Sequence, residues 1–200
     1  MNIGFAMCGS FCTYASVFPV LEALTKIHRI IPIISTSSGS IDSRFGTAVS
    51  HMEKITDICG CKPLYTIEEV EPIGPKKLLD ALIIAPCTGN TLAKLAHSIA
   101  DGPVTMAAKS HLRNGRPVLI AVSTNDALAG AAENIGKLLA RKHYYFVPFG
   151  QDDPFKKPTS MVADFDKIPE ALEAALRGQQ IQPILWGCPH GQCVTNPGSY

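Results

Sequence analysis

Residues 82–96 read Leu-Ile-Ile-Ala-Pro-Cys-Thr-Gly-Asn-Thr-Leu-Ala-Lys-Leu-Ala, and this stretch decides the fold class. The apolar run Leu82 to Ala85 has the length and character of a buried strand. Pro86-Cys87-Thr88-Gly89-Asn90-Thr91 closes it as a polar turn. Leu92, Leu95, Ala96 and Ile99 then recur at i, i+3, i+4 and i+7, the spacing of one helix face. Strand, polar turn and helix make one βα unit.

The same unit repeats in both directions. Upstream, Ile3 to Met7 is a strand that leads through Cys8-Gly9-Ser10 into a helix with Val17, Val20, Leu21, Leu24 and Ile27 on one face. Pro19 either kinks that helix or marks its first turn. Arg29 to Ile34 is a second buried strand, Ser35 to Ser40 reads as loop, and a helix is expected near Thr47 to Ile58. Downstream, Val104 to Arg113 reads as a short helix and Val118 to Val122 as a strand ending in Ser123-Thr124-Asn125-Asp126. A helix bearing Leu128, Ala131, Ala132, Ile135 and Leu138 follows, then a strand at Tyr145 to Val147. Phe149 to Pro158 reads as loop, and Asp166 as the N-cap of a helix with Pro169 in its first turn. Alternating strands and helices predict a three-layer, Rossmann-like (flavodoxin-like) α/β fold: a mostly parallel sheet with helices on both faces. No linker divides the chain, so one domain is expected over 1–184, with a tail over 185–200 rich in Gly, Pro and Cys.

Composition narrows the function. The chain has 200 residues, with 18 Lys+Arg against 17 Asp+Glu. A net charge of +1 offers no basic surplus for binding nucleic acid. At 46% hydrophobic and 18% charged, it has apolar area to spare for subunit contacts, and a homo- or hetero-oligomer is expected. No apolar run approaches the roughly 20 residues of a membrane-spanning helix. The first residues lack the basic start of a signal peptide, so the cytoplasm is the expected compartment. Seven scattered cysteines make a poor disulfide framework.

In an open parallel sheet, ligands collect at the carboxyl ends of the strands. Here those positions are Gly9-Ser10, Ser35-Thr36, Thr88 to Thr91 and Ser123 to Asn125. All carry small hydroxyl or amide side chains, most at expected helix starts, where free N–H groups suit a phosphate. Each is also an ordinary capping residue, so the set counts for more than any one turn. Gly9 is the only glycine in the turn after the first strand, which disfavours the Gly-x-Gly-x-x-Gly dinucleotide motif. Gly4 to Ser10 only half-matches a P-loop and lacks its lysine. A mononucleotide such as FMN remains compatible.

The segment Ala85 to Ala96 resembles the signature turn of the flavoprotein superfamily, which includes flavin-containing cysteine decarboxylases and flavin prenyltransferases. More narrowly, Thr13-Tyr14 through Phe18-Pro19, Ser43 to Gly46, Pro72 to Lys76, Ser123 to Leu128 and Phe149 to Pro158 resemble the B-subunit family of dipicolinate synthases. The likeness runs from residue 2 to about Ile184. It implies FMN held at Gly9, Ser10, Phe11, Ser35, Pro86, Thr88, Gly89, Asn90, Thr91, Ser123 and Thr124. It also implies a partner, the A subunit of dipicolinate synthase, that brings NADP. The pair would oxidise dihydrodipicolinate to dipicolinate in the cytoplasm of the mother cell of a sporulating bacterium, and this chain would be inactive without its partner. A dicarboxylate substrate calls for cations. Arg44, Lys109, Arg113, Lys156 and Lys157 are available by type, and Arg44, Asn125, Lys156 and Lys157 are the candidates that fall in family-like motifs. The Phe149 to Pro158 loop reads as an interface or lid.

Departures keep two alternatives open: a stand-alone FMN-dependent decarboxylase of a cysteinyl peptide or pantothenate derivative, and a non-catalytic subunit with an empty cleft. The superfamily's decarboxylases use a His after the second strand. His51 falls near that place without their flanking motif, and it reads as a surface helix residue. Ser123-Thr124-Asn125 stands where flavin prenyltransferases carry an Arg-Glu pair. No catalytic residue is assigned. Cys87 reads as a small buried filler. Cys59-Gly60-Cys61 and the cluster Cys188, His190 and Cys193 are incomplete as zinc sets, so no metal is expected.

Overall fold

The computed structural model describes residues 1–186. Four strands form its centre: β1 (Asn2–Met7), β2 (Arg29–Ile34), β3 (Ala81–Cys87) and β4 (Val118–Thr124). They run parallel in the order β2-β1-β3-β4, with β5 (Tyr144–Phe146) parallel to the first part of β4. Every residue of β3 is buried, and of β1 only Asn2 is not. Strands this apolar need cover on both faces.

Helices supply that cover. They are α1 (Tyr14–Thr25), α2 (Thr36–Ser40), α3 (Ala48–Cys59), α4 (Ile67–Val70), α5 (Gly89–Ala96), α6 (Pro103–Leu112), α7 (Ala132–Leu139) and α8 (Ile168–Leu176). α1 packs on α3, while α5 packs on α6 and α7. The chain leaves β1 toward β2 on one side and continues from β3 toward β4 on the other. The gap between the carboxyl ends of β1 and β3 is therefore a topological switch point, where open sheets of this kind bind ligands.

Two short strands end the sheet. β6 (Phe149–Gly150) and β7 (Met161–Ala163) are antiparallel to each other, and β7 pairs antiparallel with the end of β4 through Ser123–Val162 and Thr124–Met161. β4 thus changes partner along its length, from β5 at Val118–Ile120 to β7 at Ser123–Thr124. Phe149-Gly150, expected as loop, is strand. Leu185 and Trp186, expected in the tail, lie against it: the Phe149 N–H donates to the Ile184 carbonyl at 3.0 Å and the Trp186 N–H to the Phe149 carbonyl at 3.2 Å.

Other expectations are corrected locally. Ser35 to Ser40 is not loop: the Ser35 hydroxyl accepts the Ser38 N–H at 3.2 Å and starts the one-turn α2. α1 begins at Tyr14, with Pro19 in its interior, because burying Tyr14 and Phe18 against the core outweighs the lost amide. α5 ends at Ala96, since Ser98 adopts a left-handed φ of 59°, so Ile99 leaves the helix face and is 47% exposed. Turns from Asp126 delay α7 to Ala132 and leave Leu128 exposed. Ile27 is likewise exposed, beyond the end of α1. Asp164 rather than Asp166 is the cap: its side chain accepts the Asp166 N–H at 3.2 Å in a 3-10 turn (Phe165–Lys167) that leads into α8. Sequence periodicity gave no sign of α4. It forms around a capping box in which the Thr66 hydroxyl accepts the Glu69 N–H and the Glu69 carboxylate accepts the Thr66 N–H. No described helix is long and apolar enough to cross a membrane.

Candidate functional site

The ends of β1, β2, β3 and β4 converge on two adjoining hollows that share Gly9 and Thr88. The first, about 280 Å³, is bounded by Cys8, Ser35 to Ser37, Asn90, Thr91 and the start of α6. Its donors are set by backbone. The N–H groups of Thr36 and Ser37 open α2, and those of Gly89 and Asn90 open α5. First-turn N–H groups have no intrahelical acceptor. The Thr88 hydroxyl caps α5 by accepting the Thr91 N–H at 3.4 Å and hydrogen-bonds the Thr91 hydroxyl at 3.1 Å. The charged pair in this hollow, Lys94 and Asp101, is closed on itself at 2.9 Å. Hydroxyls, amides and free N–H groups with no net charge suit the phosphate and polyol of a mononucleotide, so the donor set fits FMN.

Gly89 lines neither hollow, yet its lack of a side chain is needed: a Cβ there would lie 2.8 Å from both Thr124 Oγ1 and Asp126 Oδ1. That contact brings the β4 end against the start of α5. The Thr124 hydroxyl in turn donates to Asp126 at 2.5 Å, and the Ser10 and Ser123 hydroxyls meet at 2.8 Å, tying the ends of β1 and β4 together.

The second hollow is larger, about 720 Å³. Ser10, Phe11, Ser123, Thr124 and Asn125 form its inner side. The turn Ser43–Phe45 and the segment carrying Asp152, Lys157 and Ser160 to Val162 form its outer wall. Arg44 lies over the Phe45 ring at 4.8 Å. Lys157 pairs with Asp152 at 3.1 Å, and that hydrogen bond holds its ammonium pKa above the usual value.

Nine of the eleven expected cofactor residues line these hollows: Gly9, Ser10, Phe11, Ser35, Thr88, Asn90, Thr91, Ser123 and Thr124. Pro86 does not; it is buried within β3, where its carbonyl accepts the Cys8 N–H at 3.3 Å. Arg44, Asn125 and Lys157 reach the second hollow, whereas Lys156 does not. The start of α6 and the β7 residues were missed. The only sequence signal for the former is Gly102-Pro103, a plain helix opening.

His51 is buried rather than on the surface, at 5% exposure. Its ring stacks on Phe11 at 5.6 Å, meets the edge of Tyr14 at 4.8 Å, and Nε2 lies 3.3 Å from the Phe45 carbonyl. Gly46, at φ 137°, passes so close that a Cβ would sit 2.7 Å from His51 Nε2. His51 therefore stands behind Phe11 and Phe45 rather than in either hollow. Burial pushes the Cys8 thiol up to about 11 and raises Cys87 well above its usual value. Both thiols are neutral at physiological pH, and Cys87 is fully buried, as a filler would be. Cys59 is pushed up to about 12 by burial and by Cys61. The described residues hold no group of metal-ligating side chains. Cys188, His190 and Cys193 lie outside them.

Comparison with known proteins agrees with this fold. The Flavoprotein family matches residues 1–168. The B subunit of dipicolinate synthase from Bacillus subtilis (strain 168) is 47% identical over 185 residues, covering 92% of each chain. The crystal structure of the B subunit of dipicolinate synthase from Bacillus halodurans superposes with a TM-score of 0.85 at 44% identity, covering 93% of this chain and 96% of that one. The FMN-dependent cysteine decarboxylase SpaF shares the fold, with a TM-score of 0.64 at 22% identity over 88% of this chain and 95% of its own. The chain belongs to the flavoprotein family. Within it, the chain groups with the B subunits of dipicolinate synthase.

Proposed function

We propose that this chain is the B half of a two-subunit dehydrogenase that oxidises dihydrodipicolinate to dipicolinate, with FMN across the two hollows and NADP brought by the A half. The observation that carries the reading is the pair of hollows meeting at Gly9 and Thr88, in a chain 47% identical to the B half of a dipicolinate synthase. Bound flavin supplies a two-electron acceptor. Gly9, Ser35, Thr88, Asn90 and Thr91 would hold the phosphate and polyol in the first hollow. Ser10, Phe11, Ser123 and Thr124 would flank the ring in the second.

Forming the aromatic ring removes a hydride and a proton from the dihydropyridine. The protein's part is to orient the dianion and to exclude water. Arg44 and Lys157 face the second hollow from separate loops and supply the positive charge, with Asn125 as a neutral donor. Lys157 reaches a carboxylate only by sharing itself with Asp152, so Arg44 is the stronger clamp. A stand-alone decarboxylase finds no acid-base group in His51, whose ring is packed away behind Phe11. Self-association is part of the proposal, since Phe45, which lines the second hollow, and Ile41 and Val49 on either side of it in sequence are 47–65% exposed.

The test is to isolate the chain, record its absorbance with and without added FMN, and assay it alone and with the A half of a dipicolinate synthase. The expected results are a bound-flavin spectrum and NADP-linked turnover that needs both proteins. Turnover by the A half that does not change on adding this chain would overturn the reading. An absent flavin spectrum with intact stimulation would remove FMN and leave the two-protein dehydrogenase.

A further inference from the structure

Thr105, in the first turns of α6, borders the first hollow and also a third one of about 590 Å³. Thr105, Lys109 and Arg113 follow one another at intervals of four and share one face. Lys142, between α7 and β5, contributes a further cation to the lining. Leu112, Tyr144 and the 47% exposed Ile99 supply apolar surface between these cations.

Among the described residues, no carboxylate lines this hollow, and Lys109, Arg113 and Lys142 enter no ion pair. Arg141 differs, because its guanidinium donates to the Leu95 and Ala96 carbonyls at 3.0 and 2.7 Å and so caps α5. Like charges four residues apart on a helix repel, and here Lys109 and Arg113 do so in a chain whose net charge is only +1. Ser98 and His143, also in the lining, hold left-handed φ values of 59° and 69°, which non-glycine residues rarely adopt and which recur at binding sites. The volume lies within the roughly 300 to 1,000 Å³ typical of small-molecule pockets.

We propose that this third hollow binds a nucleotide-sized phosphate anion, with the phosphates on Lys109, Arg113 and Lys142 and an apolar or aromatic body against Ile99, Leu112 and Tyr144. One cation on α6, one at its C-cap and a third from the connection between α7 and β5 match a multiply charged phosphate, and the guanidinium offers it a bidentate fork. The apolar patch excludes inorganic phosphate as the best ligand. Apart from Thr105, the residues are not those of the flavin hollows, so this inference goes beyond the proposed function and does not depend on it.

The experiment is calorimetric titration of the full chain with ADP, with inorganic phosphate and pyridine-2,6-dicarboxylate as comparison ligands. The combined Lys109→Ala, Arg113→Ala variant is titrated in parallel, and Lys62→Ala serves as a remote charge control. Saturable ADP binding is expected, weakened by roughly tenfold or more in the double variant and unchanged in the control. FMN absorbance is read separately and is expected to be the same in all three proteins. Absent ADP binding, equal affinity in the double variant, or tighter binding of the dicarboxylate than of ADP would overturn the proposal. So would a change of oligomeric state in the double variant, which would make the hollow an interface between copies.

Discussion

The two adjoining hollows at the strand ends are built in opposite ways. The first is framed by helix starts: its donors are backbone N–H groups and capping hydroxyls that stand where the sheet puts them. The second is walled on its outer side by the turn at Ser43–Phe45 and the segment around Asp152 to Val162, and its cations are held by local partners, Arg44 over Phe45 and Lys157 on Asp152. The contrast separates a fixed binding surface from an adjustable one. Changes to the first should register as lost stability together with lost cofactor. Changes to the outer wall of the second should register in substrate binding alone.

The largest expected effect tests the framework of the first hollow through α6. His111 is buried, its Nε2 lies 3.1 Å from the Pro117 carbonyl, and Nδ1 has no partner. Burial is the main reason its pKa falls from 6.5 to about 4. The fold therefore favours the neutral ring. Its contribution is complete above the unfolded value and is lost as pH falls through about 4, worth up to about 3 kcal/mol. Denaturant melts between pH 7 and 4 should show this slope, and His111→Gln should flatten it. An unchanged slope in the variant would assign acid sensitivity elsewhere.

Gly89→Val comes next. Its side chain would meet Thr124 and Asp126, so a loss of about 1–3 kcal/mol is expected, with weaker FMN binding. Thermal unfolding and flavin titration would check both, and normal values for both would break the proposed contact between α5 and β4. Thr88→Ala removes a cap and a hydroxyl that lines both hollows. About 1 kcal/mol of stability should go, and FMN affinity should fall with it. The smallest effect discriminates within the outer wall: Lys157→Met should raise KM for the dicarboxylate at unchanged melting temperature, whereas Lys156→Met should change neither. A KM effect from Lys156 would redraw the second hollow.

The fold was legible because apolar runs and helix spacing report burial directly. β1 to β4 and most helices follow from that alone. Legibility failed where a single side chain, rather than a pattern, decided the outcome. Ser35 turns a serine-rich stretch into α2 through one hydrogen bond, and Ser98 ends α5 before Ile99. The strand-end side of the first hollow was readable, since its hydroxyls follow strands in sequence. The start of α6 and β7 reach the site only through tertiary packing. His51 was misplaced for a related reason: its polarity suggests the surface, but Phe11, Tyr14 and the Phe45 carbonyl close over it.

The change of partner along β4 sets how this molecule can vary. Its first half is locked between β3 and β5, while its final residues are held from outside by just two paired positions on β7. Lengthening or rewriting residues 151–158 would reshape the outer wall while leaving the β3–β4–β5 pairing intact. The strand works as a fixed rail whose tip is held separately, by a β7 whose Met161 and Ala163 are themselves part of the core.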